Sequence, residues 1–399
     1  MAFSSKLGFF EDTSGSLGSF TFPTWPTVPT EAEYTTEVGS WTNTATPTIH
    51  KTPVGWNNNH RGCIAHPNGN IYMIPYWKDF FVEVDPSSNV FTRKTSHSNL
   101  GSVIIDFYET AKQSGGSLAS NGNIYLAPYL DGQPVIEYDP INDVASNLSL
   151  TGMPTSTYSY YGAVTLPSGN IVFQPRLSGN PYLKYEPGSN TIIKLSETPA
   201  NNGAHSGGCV GFDGNYYVSP SFSNQVRKYN ESSNTWTNVG STLSGSANMY
   251  TGLANGKNGV IIGVPQSQNT FLRIDTIANT TQEISITGYN QTSGTQFIGA
   301  VTGSDGRVYG VPAISANLLI IDSTDSSTDV IDADKFGVGN FAGGGSTTDG
   351  YIFCAGTGNQ IYRIDTKFRA QNNYSGYDNK STANTIFSAH ISHALNKGP

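Results

Sequence analysis

The chain is poor in charge. Lysine, arginine, aspartate and glutamate supply 13% of its 399 residues, and the formal net charge is −8. A nucleic-acid partner would need a basic stripe to neutralise phosphates, and none is present. No block of like charge marks an interaction tail. No apolar run reaches the ~18 residues of a membrane-spanning helix, so membrane insertion is not expected. Met1 to Leu7 holds one lysine with no apolar stretch after it, so no secretory signal is read there. The expected location is therefore the cytosol, or outside the cell by another route.

Cysteine is scarce too. The 3 residues Cys63, Cys209 and Cys354 fall at strand-like positions, which excludes a disulfide framework and suggests buried thiols. The chemical signatures G-x-S-x-G, the P-loop and H-E-x-x-H are missing. His390 and His393 have no acidic or cysteine partner nearby. Asp325, Asp329, Asp332 and Asp334 cluster without the pattern of a calcium loop. No metal and no cofactor are expected.

Glycine is abundant, with 44 residues, and it is periodic. Turn glycines stand at Gly69, Gly122, Gly169, Gly214, Gly259, Gly306 and Gly350, spaced 53, 47, 45, 45, 47 and 44 residues apart. Seven residues before each stands a second glycine: Gly62, Gly115, Gly162, Gly207, Gly252, Gly299 and Gly343. Six residues after it stands Pro75, Pro128, Pro175, Pro220, Pro265 or Pro312, with Gly356 in the last copy. Farther on comes Asp85, Asp139, Glu186, Asn230, Asp275, Asp322 or Asp365. A period of this length, with strands and turns inside each unit, predicts propeller blades. In the third copy the four strands are expected over 162–166, 170–174, 182–185 and 191–195. Asn-Gly, Asp-Gly and Ser-Gly suit the tight turns, and proline ends the second strand.

The early glycine of each unit is read as allowing close backbone approach around the central axis. Ring closure is expected from an N-terminal strand. Tyr34 and Trp41-Thr42-Asn43 repeat the spacing of Tyr229 and Trp236-Thr237-Asn238, so the stretch around Trp41 is predicted as the outer strand of the last blade.

The phrases Asn-Gly-Asn-Ile-Tyr, Ile-Asp-Thr and Tyr-Asp-Pro resemble the units of seven-bladed β-propellers of the kelch and YVTN kind. The resemblance implies an all-β ring of four-stranded blades and leaves function open, because propellers host many activities. The expected organisation is an extended aromatic and proline-rich arm over 1–33, the propeller over 34–366 and a tail over 367–399. The opening Met-Ala-Phe-Ser-Ser-Lys-Leu-Gly-Phe-Phe and the ending after Ile386 resemble the termini of structural proteins of tailed bacteriophages. That likeness implies a virion protein, tail- or capsid-associated, assembled in the host cytoplasm. The two extensions would then dock on other virion subunits.

One recurrent position, nine residues before each turn glycine, holds His60, Gln113, Tyr160, His205, Tyr250, Phe297 and Phe341. It is predicted to lie near the mouth of the central channel. The loop after the second strand opens on the same face, with Tyr76 and Trp77 in the first blade, Tyr129 in the second and Arg176 in the third. The candidate binding residues are His60, Arg61, Trp77, Tyr129, Tyr160, Arg176, His205 and Tyr250. Aromatic and hydrogen-bonding groups of this kind suit a host glycan or a surface receptor. They could instead simply plug the channel. Three functions stay open: a non-enzymatic virion structural protein, a stand-alone carbohydrate-binding lectin or adhesin outside the cell, and a propeller hydrolase or lyase acting on a polysaccharide or lactone. For the third, His60 and His205 would serve as acid and base.

Overall fold

A computed structural model describes residues 48–365 except 67, 77–79, 95–112, 120, 129–133, 149–159, 200–204, 246–248, 290–295, 304–305, 314–316, 333–340 and 347–350. The predicted arm, the stretch around Trp41, Trp77, Tyr129 and the tail lie outside the described residues. All described regular structure is β, arranged as seven four-stranded antiparallel blades in a ring. Blade 3 shows the pattern: an inner strand Tyr160–Thr165, then Ile171–Pro175, Leu183–Glu186 and an outer strand Thr191–Lys194.

Burial falls from the axis to the rim, and the sequence follows it. Second strands such as Ile71–Pro75, Ile124–Pro128 and Tyr216–Pro220 are buried along their whole length, because a neighbouring blade covers each face. They are accordingly apolar without alternation. Third strands alternate, as in Val82–Asp85 and Ile136–Asp139. Outer strands such as Val90–Arg93 are mostly exposed. The core is therefore a set of clusters between adjacent blades. Ile64, Tyr72, Phe81, Leu118, Ile124 and Tyr138 fill one of them, and Phe81 stacks on Tyr138 with centroids 4.0 Å apart. Inner strands are stitched to each other by side chains. Thr165 Oγ1 donates to the Leu118 carbonyl at 2.6 Å, Asn255 Nδ2 to Val210 at 2.9 Å and Thr302 Oγ1 to Asn255 at 2.7 Å.

The recurrent acid of each unit has a local job. Asp139 Oδ1 accepts the backbone N–H groups of Ile141 and Asn142 at 2.9 and 3.0 Å. Asp275 does the same for Ile277 and Ala278. These carboxylates hold the hairpin between the third and outer strands, as Asp and Asn do in turns.

The ring closes through one shared strand, Thr48–Ala65. Its first part pairs antiparallel with the last strand, Tyr351–Asp365, from Thr48 opposite Asp365 to Pro53 opposite Gln360. Its final part is the inner strand of blade 1, with Ala65 opposite Ile71. An N-terminal strand does close the ring, as expected. The expectation placed that strand around Trp41, which lies outside the described residues; among the described residues Thr48–Pro53 is the outer strand of the last blade.

The recurrent early glycine also has a different cause from the one expected. Every inner strand carries a β-bulge near its start. In blade 1, His60 faces Pro75 and Cys63 faces Met73, so Arg61 and Gly62 together oppose Ile74. The bulge puts the glycine in the left-handed region: Gly62, Gly115, Gly207, Gly252, Gly299 and Gly343 all have φ between 79° and 107°. Only glycine reaches that region without cost. Gly162 is the exception, and there Tyr161 is the unpaired residue. Close approach is met one or two residues later. A Cβ on Gly208 would lie 2.2 Å from the Tyr217 carbonyl oxygen, and one on Gly345 would lie 3.0 Å from Cys63 Cβ in the adjoining blade.

Candidate functional site

The bulge sorts the side chains of the channel mouth. The residue before it, nine ahead of the turn glycine, faces the proline that ends the second strand and points into protein. His60, Tyr160, His205 and Tyr250 are 1%, 0%, 4% and 0% exposed. His60, Tyr160 and Tyr250 bond to groups inside the ring. His60 Nε2 hydrogen-bonds the Phe80 carbonyl at 2.9 Å. Tyr160 Oη donates to the Pro181 carbonyl at 3.5 Å. Tyr250 Oη bonds Thr270 Oγ1 at 2.7 Å and donates to Glu283 Oε1 at 3.0 Å. These four residues do not form a surface around the channel mouth, which corrects the sequence expectation. Phe297, at the same station, is buried as well.

His205 sits at the interface of blades 3 and 4. Its Nδ1 shares a hydrogen bond of 2.9 Å with Tyr182 Oη, from the neighbouring blade. Its Nε2 is buried with no hydrogen-bond partner. Burial, helped by the nearby Arg227 cation, pushes its pKa down to about 3. Arg227 is itself held by Glu197 at 2.7 Å and by the Asn238 side-chain oxygen. Beside this pair, Gln174 grips the backbone of Gly207: its Oε1 accepts the Gly207 N–H at 2.9 Å. This buried polar group ties two blades together, and a neutral imidazole is the form that fits it.

In blades 1 and 3 the next residue along the strand has the opposite fate. The bulge turns it out of the blade, as bulges commonly re-aim a side chain. Arg61 and Tyr161 occupy this station in blades 1 and 3, and both are half-buried. Each meets the residue just after the proline. The Arg61 guanidinium lies 3.6 Å from the centre of the Tyr76 ring. The Arg176 guanidinium lies 5.9 Å from the centre of the Tyr161 ring. The two blades thus carry the same cation–aromatic pair with the partners exchanged between strands.

The other described blades differ at these stations. Thr251 donates to the Phe297 carbonyl at 2.8 Å, and Ser221 donates to Gln266 Oε1 at 3.0 Å. Blade 6 has Ile298 and Ala313. Among the described residues, the cation–aromatic pairs stand in blades 1 and 3. Of the eight candidate residues, the structure brings Arg61 and Arg176 to this rim, buries four inside the ring, and leaves Trp77 and Tyr129 outside the described residues. Tyr161 was missed, because its station eight before the turn glycine carries no recurrent residue type from unit to unit.

Among the histidines whose side chains are described, His60, His66 and His205 are buried. Asp325 Oδ1 accepts the Ser327 N–H at 2.8 Å, and no group of three or more potential metal-ligating side chains occurs among the described residues.

No protein-family model matches the chain, and no curated protein matches it in sequence. Solved structures do. Virginiamycin B lyase from Staphylococcus aureus, in a complex with quinupristin, superposes with a TM-score of 0.64 at 14% identity, covering 80% of this chain and 99% of that one. A streptogramin B lyase gives 0.61 at 14% identity, over 82% and 98%. YCF48 bound to D1 peptide gives 0.57 at 10% identity, over 81% and 97%. The chain shares the seven-bladed propeller fold with them. At these identities the likeness extends to the fold alone.

Proposed function

We propose that the chain is a non-enzymatic recognition ring of a virus particle, tail- or capsid-associated. The propeller would present its Arg61–Tyr76 and Tyr161–Arg176 rim to a host surface or a neighbouring subunit. Residues 1–33 and 367–399 would dock it on other virion subunits. The observation that carries the recognition half is the sorting at the bulge. The acid–base groups that a hydrolase or lyase would use, His60 and His205, are buried and bonded within the ring. The groups turned outward are guanidinium and phenol pairs, which bind by stacking and directed hydrogen bonds. The virion half rests on the resemblance of the two termini and on the weakly charged, Asn-, Ser- and Thr-rich composition. The reading needs no cofactor, no nucleic acid and no membrane insertion.

The test is assembly. Particles built with full-length chain should retain it, and particles built with chain lacking residues 1–33 should not. Retention without the arm would remove the docking role. A lectin or adhesin acting alone outside the cell would show cell binding without any association with particles. The lyase likeness sets the enzymatic arm of the test. Turnover of quinupristin by the purified chain, followed chromatographically, would replace the recognition reading with a catalytic one.

A further inference from the structure

Asn–Gly bonds occur at Asn68, Asn121, Asn202, Asn255 and Asn258, and Asn202 lies outside the described residues. We infer that the fold protects three of the other four and leaves Asn258 as a site of self-modification, where the side-chain amide is lost through an imide formed with Gly259. The chemistry needs two free groups, the Asn carboxamide and the backbone nitrogen of the glycine that attacks it. Glycine favours the attack because no side chain shields that nitrogen.

The turn between inner and second strand decides which nitrogens are free. In five blades the turn glycine donates its N–H to the residue three before it: Gly69 to His66, Gly122 to Ala119, Gly169 to Leu166, Gly214 to Gly211 and Gly306 to Gly303, at 2.9 to 3.0 Å. Blade 5 is built differently. Asn258 and Gly259 have φ of 58° and 69°, and the bond that closes the turn runs from the Val260 N–H to the Lys257 carbonyl at 3.2 Å. Two consecutive left-handed residues closed in this way make the mirror-image turn of tight hairpins. Blade 6 steadies it, since the Lys257 N–H donates to Ser323 Oγ at 2.6 Å. The closing bond has passed to Val260, and the Gly259 N–H has no acceptor among the described residues. Gly259 is packed through its carbonyl, which accepts the Thr276 N–H and Oγ1 at 3.0 and 2.7 Å.

The side chains sort the same way. Asn68 Oδ1 accepts the Asn70 N–H at 3.0 Å, and its Nδ2 donates to Tyr72 Oη at 2.9 Å. Asn121 repeats both bonds, with Asn123 at 3.0 Å and Tyr125 at 2.8 Å. Asn255 is buried and its Nδ2 donates to the Val210 carbonyl at 2.9 Å, while the Gly256 N–H donates to Val260 at 2.7 Å. At Asn258 these partners are gone. The residues two and four places on are Val260, whose N–H is bonded to Lys257, and Ile262, which has no hydroxyl. Asn258 is exposed, and its amide makes no bond with the described residues.

The step balances with water alone. The Gly259 nitrogen attacks Asn258 Cγ and gives up its proton to hydroxide. The Cγ–Nδ2 bond breaks, and the amide nitrogen leaves as ammonia with a proton from water. Water then opens the imide. Breaking the new bond to Cγ gives aspartate; breaking the bond to the backbone carbonyl gives isoaspartate, with the chain running through the side chain. Either product places a carboxylate next to Lys257, whose Nζ already faces Asp322 at 4.0 Å. Isoaspartate also adds a backbone atom to a turn tied at Val260 and Ser323. The chemistry is the same whatever the ring recognises. It runs one way, so it marks the age of the folded chain.

The test follows the full-length chain at mildly alkaline pH, folded and in denaturant, by peptide mass mapping with fragmentation and by enzymatic methylation of isoaspartate. In denaturant Asn68, Asn121, Asn255 and Asn258 should convert at similar rates. In the folded chain Asn258 should convert at least about tenfold faster than the other three, each of which must first break a glycine N–H bond and a side-chain bond. Asn258→Gln should remove the methylatable product at that position, because the longer side chain closes an imide far more slowly. The comparison of folded with denatured parent chain decides even where that variant fails to fold. An Asn258 that converts no faster than Asn68 and Asn121 in the folded chain overturns the inference. So does an Asn258 that converts in denaturant and stays intact when folded.

Discussion

Three glycines separate crowding from backbone conformation. At Gly208, φ is ordinary, but an added Cβ would lie 2.2 Å from the Tyr217 carbonyl oxygen and 2.7 Å from Tyr216 Cε2. The oxygen cannot yield alone, because Gly208 and Cys209 are in ladder register with Val218 and Tyr217. The inner strand must move, at a cost of about 3 kcal/mol, the upper part of the overpacking range. At Gly69 the space is open, but φ is +92°, and alanine there costs about 1 to 2 kcal/mol. At Gly188 neither obstacle exists, and alanine should be neutral or stabilise by about 0.5 kcal/mol through the unfolded chain. A ring of about 320 residues has an unfolding entropy of about 0.7 kcal/mol/K, so each kcal/mol moves the midpoint by roughly 1.5 °C. Calorimetry should therefore show Gly208→Ala melting about 4 to 5 °C low, Gly69→Ala about 2 °C low and Gly188→Ala unchanged or slightly high. A Gly208→Ala protein that melts with Gly188→Ala would refute the close packing of inner strand on second strand.

Other outcomes follow from the same structure. His205 is neutral when folded, with its pKa lowered to about 3, whereas the unfolded chain takes up the proton near 6.5. Its contribution is thus complete above pH 6.5 and is lost as pH falls toward 3, up to about 5 kcal/mol in all. Melting temperature should drop less steeply between pH 6.5 and 4 in His205→Gln than in the parent protein, and parallel profiles would remove His205 from the acid response. Truncation through Val54 should abolish cooperative melting, because it removes the strand opposite Gln360–Asp365. Truncation through Ala45 should preserve it, and the reverse would restore the closing role to the stretch around Trp41. Burial pushes up the pKa values of Cys63, Cys209 and Cys354, so a thiol reagent at pH 8 should leave all three unlabelled until the protein is denatured.

The ring was legible in the sequence because its signals are local. Turn glycines, terminating prolines and the hairpin-holding Asp139 and Asp275 recur at fixed offsets, and each acts within a few residues of its own position. The channel mouth was misread for one reason. The inner strand carries an extra residue at Gly62 and its counterparts, so alternation counted through the strand start slips by one. His60 was placed at the channel mouth and is buried, while Tyr161 was not singled out and is half-buried. A recurrent glycine shows in sequence, but its φ does not. The closing strand was misplaced because it belongs to no repeat unit. Thr48–Pro53 needs only to pair with Gln360–Asp365, whereas Trp41-Thr42-Asn43 offered the closer word match to Trp236-Thr237-Asn238.

Thr48 and Asp365 face each other at one end of the closing ladder, so the two chain extensions leave the ring from a single point. A load applied between them peels that ladder from its open end, one residue pair after another. It does not shear all the pairs at once. A ring tethered through both extensions therefore has a mechanically soft seam between its first and last blades, while a ring tethered through one extension and pulled at its mouth loads the blades across the whole fold.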